Sequence, residues 1–385
     1  MKKVLFLLLA ILFLYSCGGG GGDNDDGHQG LQFIEISGGI PQNMQCRENV
    51  TFFDLDGDGL KDMITPAPRP LNTSPKVFLN KNTFWQEITE QCAFPPEVNF
   101  YGWVESDSSG NLYFAIHGRS VFALKRTGFC SWENASDGLL PVGEFSSRAL
   151  ATGDINHDGL TDIAAISDNF YAQPKTIRAF TGNGNFQWTD VSNGFPHMIS
   201  GDHISLADIN GDGHLDILVD NSNQSANSVI WFGNSSGTWI DAGSNLPNGL
   251  YFAVTPFHNG FLCFLFNETF SGGPLLFMLN NGSWNLLTET GLPDSSYISA
   301  IAVVDLDRDG TEDIILGDNS TMTLRIFSGT GEFRFNETLS LPLPSDQGNI
   351  WNITVSDVNM DSKPDIAVNM ASADNLGTIR VFIQK

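Results

Sequence analysis

Apolar residues along this chain fall in short runs, broken every few positions by Gly, Asn, Asp or Pro. Ile204-Ser-Leu-Ala207, Asp216-Ile-Leu-Val219, Ser228-Val-Ile-Trp-Phe232 and Thr238-Trp-Ile-Asp241 are four such runs in succession. Runs this short, rich in β-branched and aromatic residues and without a helical period, predict strands joined by tight turns.

A repeat organises the strands. Asp54-Leu-Asp-Gly-Asp-Gly-Leu-Lys-Asp62 recurs as Asp154-Ile-Asn-His-Asp-Gly-Leu-Thr-Asp162, Asp208-Ile-Asn-Gly-Asp-Gly-His-Leu-Asp216 and Asp305-Leu-Asp-Arg-Asp-Gly-Thr-Glu-Asp313. A fifth copy, Asp357-Val-Asn-Met-Asp-Ser-Lys-Pro-Asp365, has Ser362 in place of the glycine. Two of the gaps are double length, and worn copies fill them: Glu105-Ser-Asp-Ser-Ser-Gly-Asn-Leu-Tyr113 and Thr255-Pro-Phe-His-Asn-Gly-Phe-Leu-Cys263. Seven units of four strands result.

Aromatic segments at Trp85, Trp132, Trp188, Trp239, Trp284 and Phe333 mark the fourth strand of six units. The last unit stops after its third strand, Thr378-Ile-Arg-Val-Phe-Ile383, and Leu31-Gln-Phe-Ile-Glu-Ile-Ser37 supplies what it lacks. Closing a ring in this way removes the open edges that a linear array exposes. The expected fold is all-β: one seven-bladed β-propeller over residues 31–385, its last blade closed by the N-terminal strand.

Composition agrees, with 40 Gly and 29 Phe against only 19 Lys plus Arg in 385 residues. The formal charge of −25 excludes nucleic acid as a partner, because a phosphate backbone requires a basic surface. Much of the acid sits at fixed positions of the repeat. Positions 1, 3 and 5 of a curling loop place side-chain oxygens on one side, position 7 adds a backbone carbonyl, and position 9 a last carboxylate. Gly at position 6 permits the positive φ of the turn. An all-oxygen cage of this kind suits calcium better than magnesium, which demands stricter geometry. An EF-hand is excluded, since its twelfth position requires Glu and these loops have Thr65, Ala165, Val219, Leu316 and Val368.

The five loops resemble the FG-GAP and VCBS repeats of the integrin α-subunit propeller and of bacterial surface proteins. The resemblance implies about five structural calcium ions, each between the first and second strands of a blade. Carried over by position, the ligands are Asp54, Asp56, Asp58, Leu60 and Asp62, then Asp154, Asn156, Asp158, Leu160 and Asp162. The remaining sites are Asp208, Asn210, Asp212, His214 and Asp216, then Asp305, Asp307, Asp309, Thr311 and Asp313, then Asp357, Asn359, Asp361, Lys363 and Asp365. Leu60, Leu160, His214, Thr311 and Lys363 would contribute carbonyls only. The worn loops at 105 and 255 are expected to hold no ion.

At the N-terminus, Lys2 and Lys3 precede an apolar stretch, Val4 to Leu14, that is short for a membrane span. Leu14-Tyr15-Ser16-Cys17 resembles the lipobox of bacterial lipoproteins. The resemblance implies a leader over 1–16, lipidation of Cys17, and a Gly- and Asp-rich tether over 17–30. It places the chain in the bacterial cell envelope, at the outer membrane and exposed at the cell surface, touching the bilayer through lipid alone. An envelope location permits disulfides. Cys46 and Cys92 fall in comparable connections of adjacent units and are the pair expected to bond, while Cys130 and Cys263 read as buried thiols.

Structural calcium does not name a ligand. The face opposite the loops, with the mouth of the central channel, is where binding is expected. Strand entrances and long connections bring Arg47, Arg148, Asp202, His203, Tyr171 and Trp351 there. No GxSxG, HExxH or phosphate-binding glycine loop is present. No catalytic residue is assigned, and the favoured function is a monomeric binding or adhesion module for protein or glycan. The alternative is a carbohydrate-active enzyme of polysaccharide lyase type, with Arg148 neutralising a uronate and His203 as base.

Overall fold

The computed structural model describes residues 31–44, 48–68, 73–142, 145–167, 177–195, 201, 203–220, 229–234, 238–243, 245–266, 273–294, 296–372 and 376–385. Within them the strands form seven four-stranded antiparallel sheets, each a blade. Helical structure among these residues is limited to three single-turn 3-10 segments. The expected all-β seven-bladed propeller is what forms. Residues 1–30, where the leader, Cys17 and the tether are expected, lie outside the described residues.

The first strands of the blades are Thr51–Phe53, Gly102–Ser106, Ser147–Gly153, Ile204–Ala207, Leu250–Phe257, Ile298–Val304 and Asn349–Ser356. Successive first strands pack against one another from blade 1 through blade 7, so they surround the axis. Closure follows the expected device: Phe33–Glu35 pairs antiparallel with Gly377–Gln384 and becomes the outer strand of blade 7. Blade 7 is fastened to blade 1 by the Lys61 amide, which donates to the Val358 carbonyl at 2.9 Å, and by Asn80 Nδ2, which donates to the same oxygen at 3.0 Å.

The core lies between the faces of adjacent blades, where apolar residues are removed from water. Phe53, Ile64 and Val77 of blade 1, for instance, pack with Val104, Leu112 and Phe114 of blade 2. The outer-strand aromatics are wedges in these seams. Trp85, Trp132, Trp188, Trp239, Trp284 and Phe335 are all buried. Trp188, Trp239 and Trp284 donate their indole N–H to carbonyls of the preceding blade: Ala135 at 3.1 Å, Val191 at 3.0 Å and Ala242 at 2.7 Å.

One pairing differs from expectation. Cys92 bonds to Cys130 with their Cα atoms 4.7 Å apart. Cys46, the partner expected for Cys92, lies outside the described residues, and Cys130 is not a thiol. The reason is the path of the chain as it leaves blade 1. The Ala93 amide donates to the Cys130 carbonyl at 2.8 Å and the Trp132 amide to the Ala93 carbonyl at 3.1 Å, so this exit runs alongside the outer strand of blade 2. That path carries Cys92 to the turn before Ser131–Asn134. Cys263 is a free, buried thiol, as expected.

Candidate functional site

The five acidic loops share one conformation, set by their own side chains. In each, the position-5 carboxylate accepts the position-7 amide: Asp58 from Leu60, Asp158 from Leu160, Asp212 from His214, Asp309 from Thr311 and Asp361 from Lys363, all at 2.7–2.9 Å. The position-1 carboxylate accepts the position-6 amide, for example Asp54 from Gly59 at 3.1 Å and Asp208 from Gly213 at 2.9 Å. These bonds turn the carboxylates toward the middle of the loop. Position 6 is left-handed throughout, including Ser362 at φ 74°. Position 4 is left-handed too, at Gly57, His157, Gly211, Arg308 and Met360, which sequence reasoning missed. Glycine in two of the five copies was the available signal.

Position 9 has a second duty that the motif did not reveal. Asp62, Asp162, Asp216, Asp313 and Asp365 are almost wholly buried. One carboxylate oxygen accepts the position-2 amide at 2.8–2.9 Å, from Leu55, Ile155, Ile209, Leu306 and Val358. The other accepts an amide at the end of the blade's third strand at 2.8–2.9 Å, from Asn80, Gly182, Gly233, Gly329 and Gln384. Burial outweighs these bonds and pushes all five carboxyls up to about 6.

Whether a divalent cation fits is answered by unpaired oxygens and by what offsets the charge. Oδ1 of Asp305 and of Asp357 is buried without a hydrogen-bond partner, although a buried carboxylate oxygen ordinarily has one. In three loops the position-3 amide offsets charge, with Asn156, Asn210 and Asn359 Nδ2 donating to Asp158, Asp212 and Asp361 at 3.0–3.1 Å. In blade 1 an ammonium does so, Lys81 Nζ lying 3.0 Å from Asp56 and 3.5 Å from Asp58. Oxygens of Asp54, Asp56 and Asp58 converge within 4.8 Å of one another, as do those of Asp305, Asp307 and Asp313. The donor set is all oxygen and fits a hard cation.

The worn loops are built differently. Asp107 accepts four bonds from its own loop: the Ser109 and Asn111 amides, Asn111 Nδ2 and the Tyr113 hydroxyl, at 2.8–3.0 Å. Glu105 instead faces its own strand and accepts Trp103 Nε1 at 2.8 Å. In blade 5 the loop has shrunk to a hairpin, with Phe257 paired to Gly260 around His258 and Asn259.

Along the first strands, from Trp103 and His203 to Val303 and Val355 near the acidic loops, a cavity of about 310 Å³ opens on the axis. Blades 2, 4, 5, 6 and 7 line it, with Trp103, His203, Thr255, Ser299, Trp351 and Asn352 among the lining. His203 Nδ1 lies 2.7 Å from Asp220 Oδ2, and Asp220 Oδ1 accepts the Val254 amide at 2.9 Å, which fixes the imidazole between blades 4 and 5. Trp103 meets the His203 ring edge-on, with centroids 5.4 Å apart. Trp351 occupies a β-bulge and donates Nε1 to the Ala371 carbonyl at 3.0 Å. Thus two of the expected residues, His203 and Trp351, share one cavity. Arg148 sits at the matching bulge of blade 3 but does not line it. Arg47, Asp202 and Tyr171 lie outside the described residues. Trp103 was missed because only the ring places it beside His203, whereas Asp220 could have been found from the pairing of Ile204 with Val219, which sets it opposite His203.

The architecture is that of a seven-bladed β-propeller with acidic loops on one face and a cavity along its axis. It carries FG-GAP-like repeats, matched over residues 154–219, 263–316 and 305–368. No curated protein sequence matches the chain. Solved structures share the fold at low identity. The WD40 β-propeller domain of Doa1 is 16% identical, with a TM-score of 0.55 over 92% of this chain and 97% of that one. YCF48 bound to D1 peptide is 11% identical, with a TM-score of 0.54 over 92% and 96%. A protein from Lactobacillus plantarum is 10% identical, with a TM-score of 0.51 over 76% and 84%.

Proposed function

We propose that this protein is a non-enzymatic binding propeller, stiffened by calcium in five loops and gripping a peptide or glycan at its channel mouth. The observation that carries this is the axial cavity walled by five blades, where Trp103, Trp351 and the fixed His203 stand among hydroxyl and amide groups. Indole faces beside a few oriented polar groups suit an extended peptide or a sugar. A similar propeller, YCF48, has been solved bound to a peptide. Calcium acts at a distance from this mouth by holding the blades in register, and lipidation at Cys17 would tether the ring to the outer membrane.

The experiment is binding of the purified protein to peptide and glycan arrays, with an ultraviolet lyase assay on uronate polymers in parallel. Trp351→Ala should abolish array binding while keeping a calcium-dependent rise in melting temperature, and Trp103→Phe, which keeps a buried ring, should weaken that binding. Turnover lost in His203→Ala would replace this reading with the enzymatic one. Palmitate labelling lost in Cys17→Ser tests the anchor.

A further inference from the structure

The loops of blades 3 and 4 bring together two histidines that neither the repeat nor the channel explains. His157 Nε2 and His214 Nδ1 lie 3.2 Å apart, with ring centroids at 5.0 Å and an interplanar angle of 56°. His157 is exposed and His214 half-buried at the surface of the acidic-loop face. The pair has no counterpart at the other seams. Position 4 is Gly57, Gly211, Arg308 or Met360 elsewhere, and position 7 is Leu60, Leu160, Thr311 or Lys363.

We infer that His157 and His214 form an exchangeable binding site for a nitrogen-preferring divalent ion of the zinc class, bridging blade 3 to blade 4. The first argument is spacing. Zinc binds imidazole nitrogen at about 2.0–2.1 Å, so two nitrogens at a tetrahedral angle stand roughly 3.3 Å apart. The observed 3.2 Å matches that separation. The second is pre-organisation: the left-handed backbone at His157, φ 61°, aims its ring across the seam, and the contact spans 57 residues of sequence. The third is donor type. Imidazole suits zinc, copper and nickel, whereas the neighbouring cages offer oxygen and suit calcium, so the two kinds of site select different ions.

The proton balance is simple. A hydrogen bond at 3.2 Å between the two facing nitrogens requires one of them to carry a hydrogen. Binding requires both facing nitrogens bare, so that imidazole moves its proton to its outer nitrogen and no net proton leaves. Charge does not forbid the ion. Each flanking loop has three carboxylates, Asp154, Asp158 and Asp162 or Asp208, Asp212 and Asp216, which a bound dication leaves with a net negative charge. With two protein ligands and water completing the shell, the ion exchanges freely, unlike one held in a closed four-ligand site. The two rings meet through side-chain nitrogens, which the oxygen cages do not use.

The test is calorimetric titration of zinc chloride into the full chain in saturating calcium, with copper(II) electron paramagnetic resonance to count nitrogen ligands. Wild type should bind one zinc per chain saturably, show coupling to two nitrogens with copper, and melt at a higher temperature with zinc. His157→Gln and His214→Gln should each lose the isotherm and the melting shift, while His258→Gln, another exposed imidazole, keeps both. In His157→Gln calcium-dependent melting should stay as in wild type, which shows that this variant folds. A wild type without saturable zinc binding, or a double variant with an unchanged isotherm, overturns the proposal.

Discussion

Asp216 Oδ1 accepts the Gly233 amide at 2.9 Å, which ties the last position of an acidic loop to the third strand of its own blade. Its other oxygen accepts the Ile209 amide at 2.8 Å, so the carboxylate is a staple whether or not an ion is present. Asp216→Asn keeps one acceptor and turns an amide N–H toward a backbone N–H. A buried donor left unmatched costs about 1–3 kcal/mol, so this variant should lose that much stability in the presence of chelator. Asp212→Asn, at an exposed position of the same loop, should change chelated stability little and lose only the increment that calcium adds. Urea unfolding with calcium and with chelator separates the two. Equal effects of both substitutions under chelation would refute the division of labour.

Calcium itself should raise the melting temperature, because an ion that binds only the folded loops stabilises by mass action. The largest share should come from the blade 6 loop. There Asp305 Oδ1 is unpaired, and among the described residues only backbone amides, with no side-chain amide or ammonium, meet Asp307 and Asp309. Asp309→Asn is therefore expected to remove more of the calcium-dependent shift than Asp361→Asn does. A midpoint unmoved by chelator would sink the calcium reading altogether.

Lys81 makes blade 1 the exception. Its ammonium lies between Asp56 and Asp58, where an incoming dication must displace it or tolerate it. Lys81→Met should tighten calcium binding at this loop by up to about tenfold, a free energy near 1.4 kcal/mol. The chelated protein should lose little, since exposed ion pairs contribute roughly 0–1 kcal/mol. Calcium titration followed on the Gly57 and Gly59 amide resonances reads this loop alone. Unchanged or weaker binding in the variant would show that Lys81 does not compete.

What was legible in the sequence and what was not divides along the ring. The repeat could be read because Asp54 to Asp62 and its copies are local, with each ligand position a fixed number of residues from the next. Strand closure could be read because the last unit is one strand short and Leu31 to Ser37 is one strand too many. Contacts between blades could not. Cys92 with Cys130, His157 with His214, and Trp103 with His203 each join positions whose proximity depends on how one sheet packs on the next. No spacing rule encodes that. The worn loop of blade 2 was recognised by Glu105 and Asp107, yet only Asp107 stays in the loop, because the first strand runs on through Ser106.

The disulfide can be checked directly. Proteolysis without reduction should release one peptide joining Cys92 to Cys130, with Cys263 alkylated only after unfolding. The cysteines are 38 residues apart, and closing a loop of that size stabilises by roughly 4 kcal/mol in the chain-entropy account. Reduction, or Cys92→Ala with Cys130→Ala, should lower the unfolding free energy by about that amount and loosen the seam between blades 1 and 2 first. Recovery of Cys92 joined to Cys46 would contradict this pairing.

The last prediction concerns pH. Burial pushes the Glu105 carboxyl up from 4.5 to about 7, and the 2.8 Å bond from Trp103 Nε1 offsets only part of that. The folded protein therefore holds a proton that the unfolded chain releases between those values. Stability must fall as pH rises through this window, and the full cost is present above about 7. Glu105→Gln keeps an acceptor for Trp103 and removes the titration. In saturating calcium, which keeps the five loop aspartates ionised, the variant should gain on wild type steadily from pH 5 to pH 8. Urea midpoints at the two pH values measure the gain. A constant offset between the proteins would mean that Glu105 is ionised in the folded state throughout, with Asn49 Nδ2, 3.3 Å away, and water supplying what burial takes.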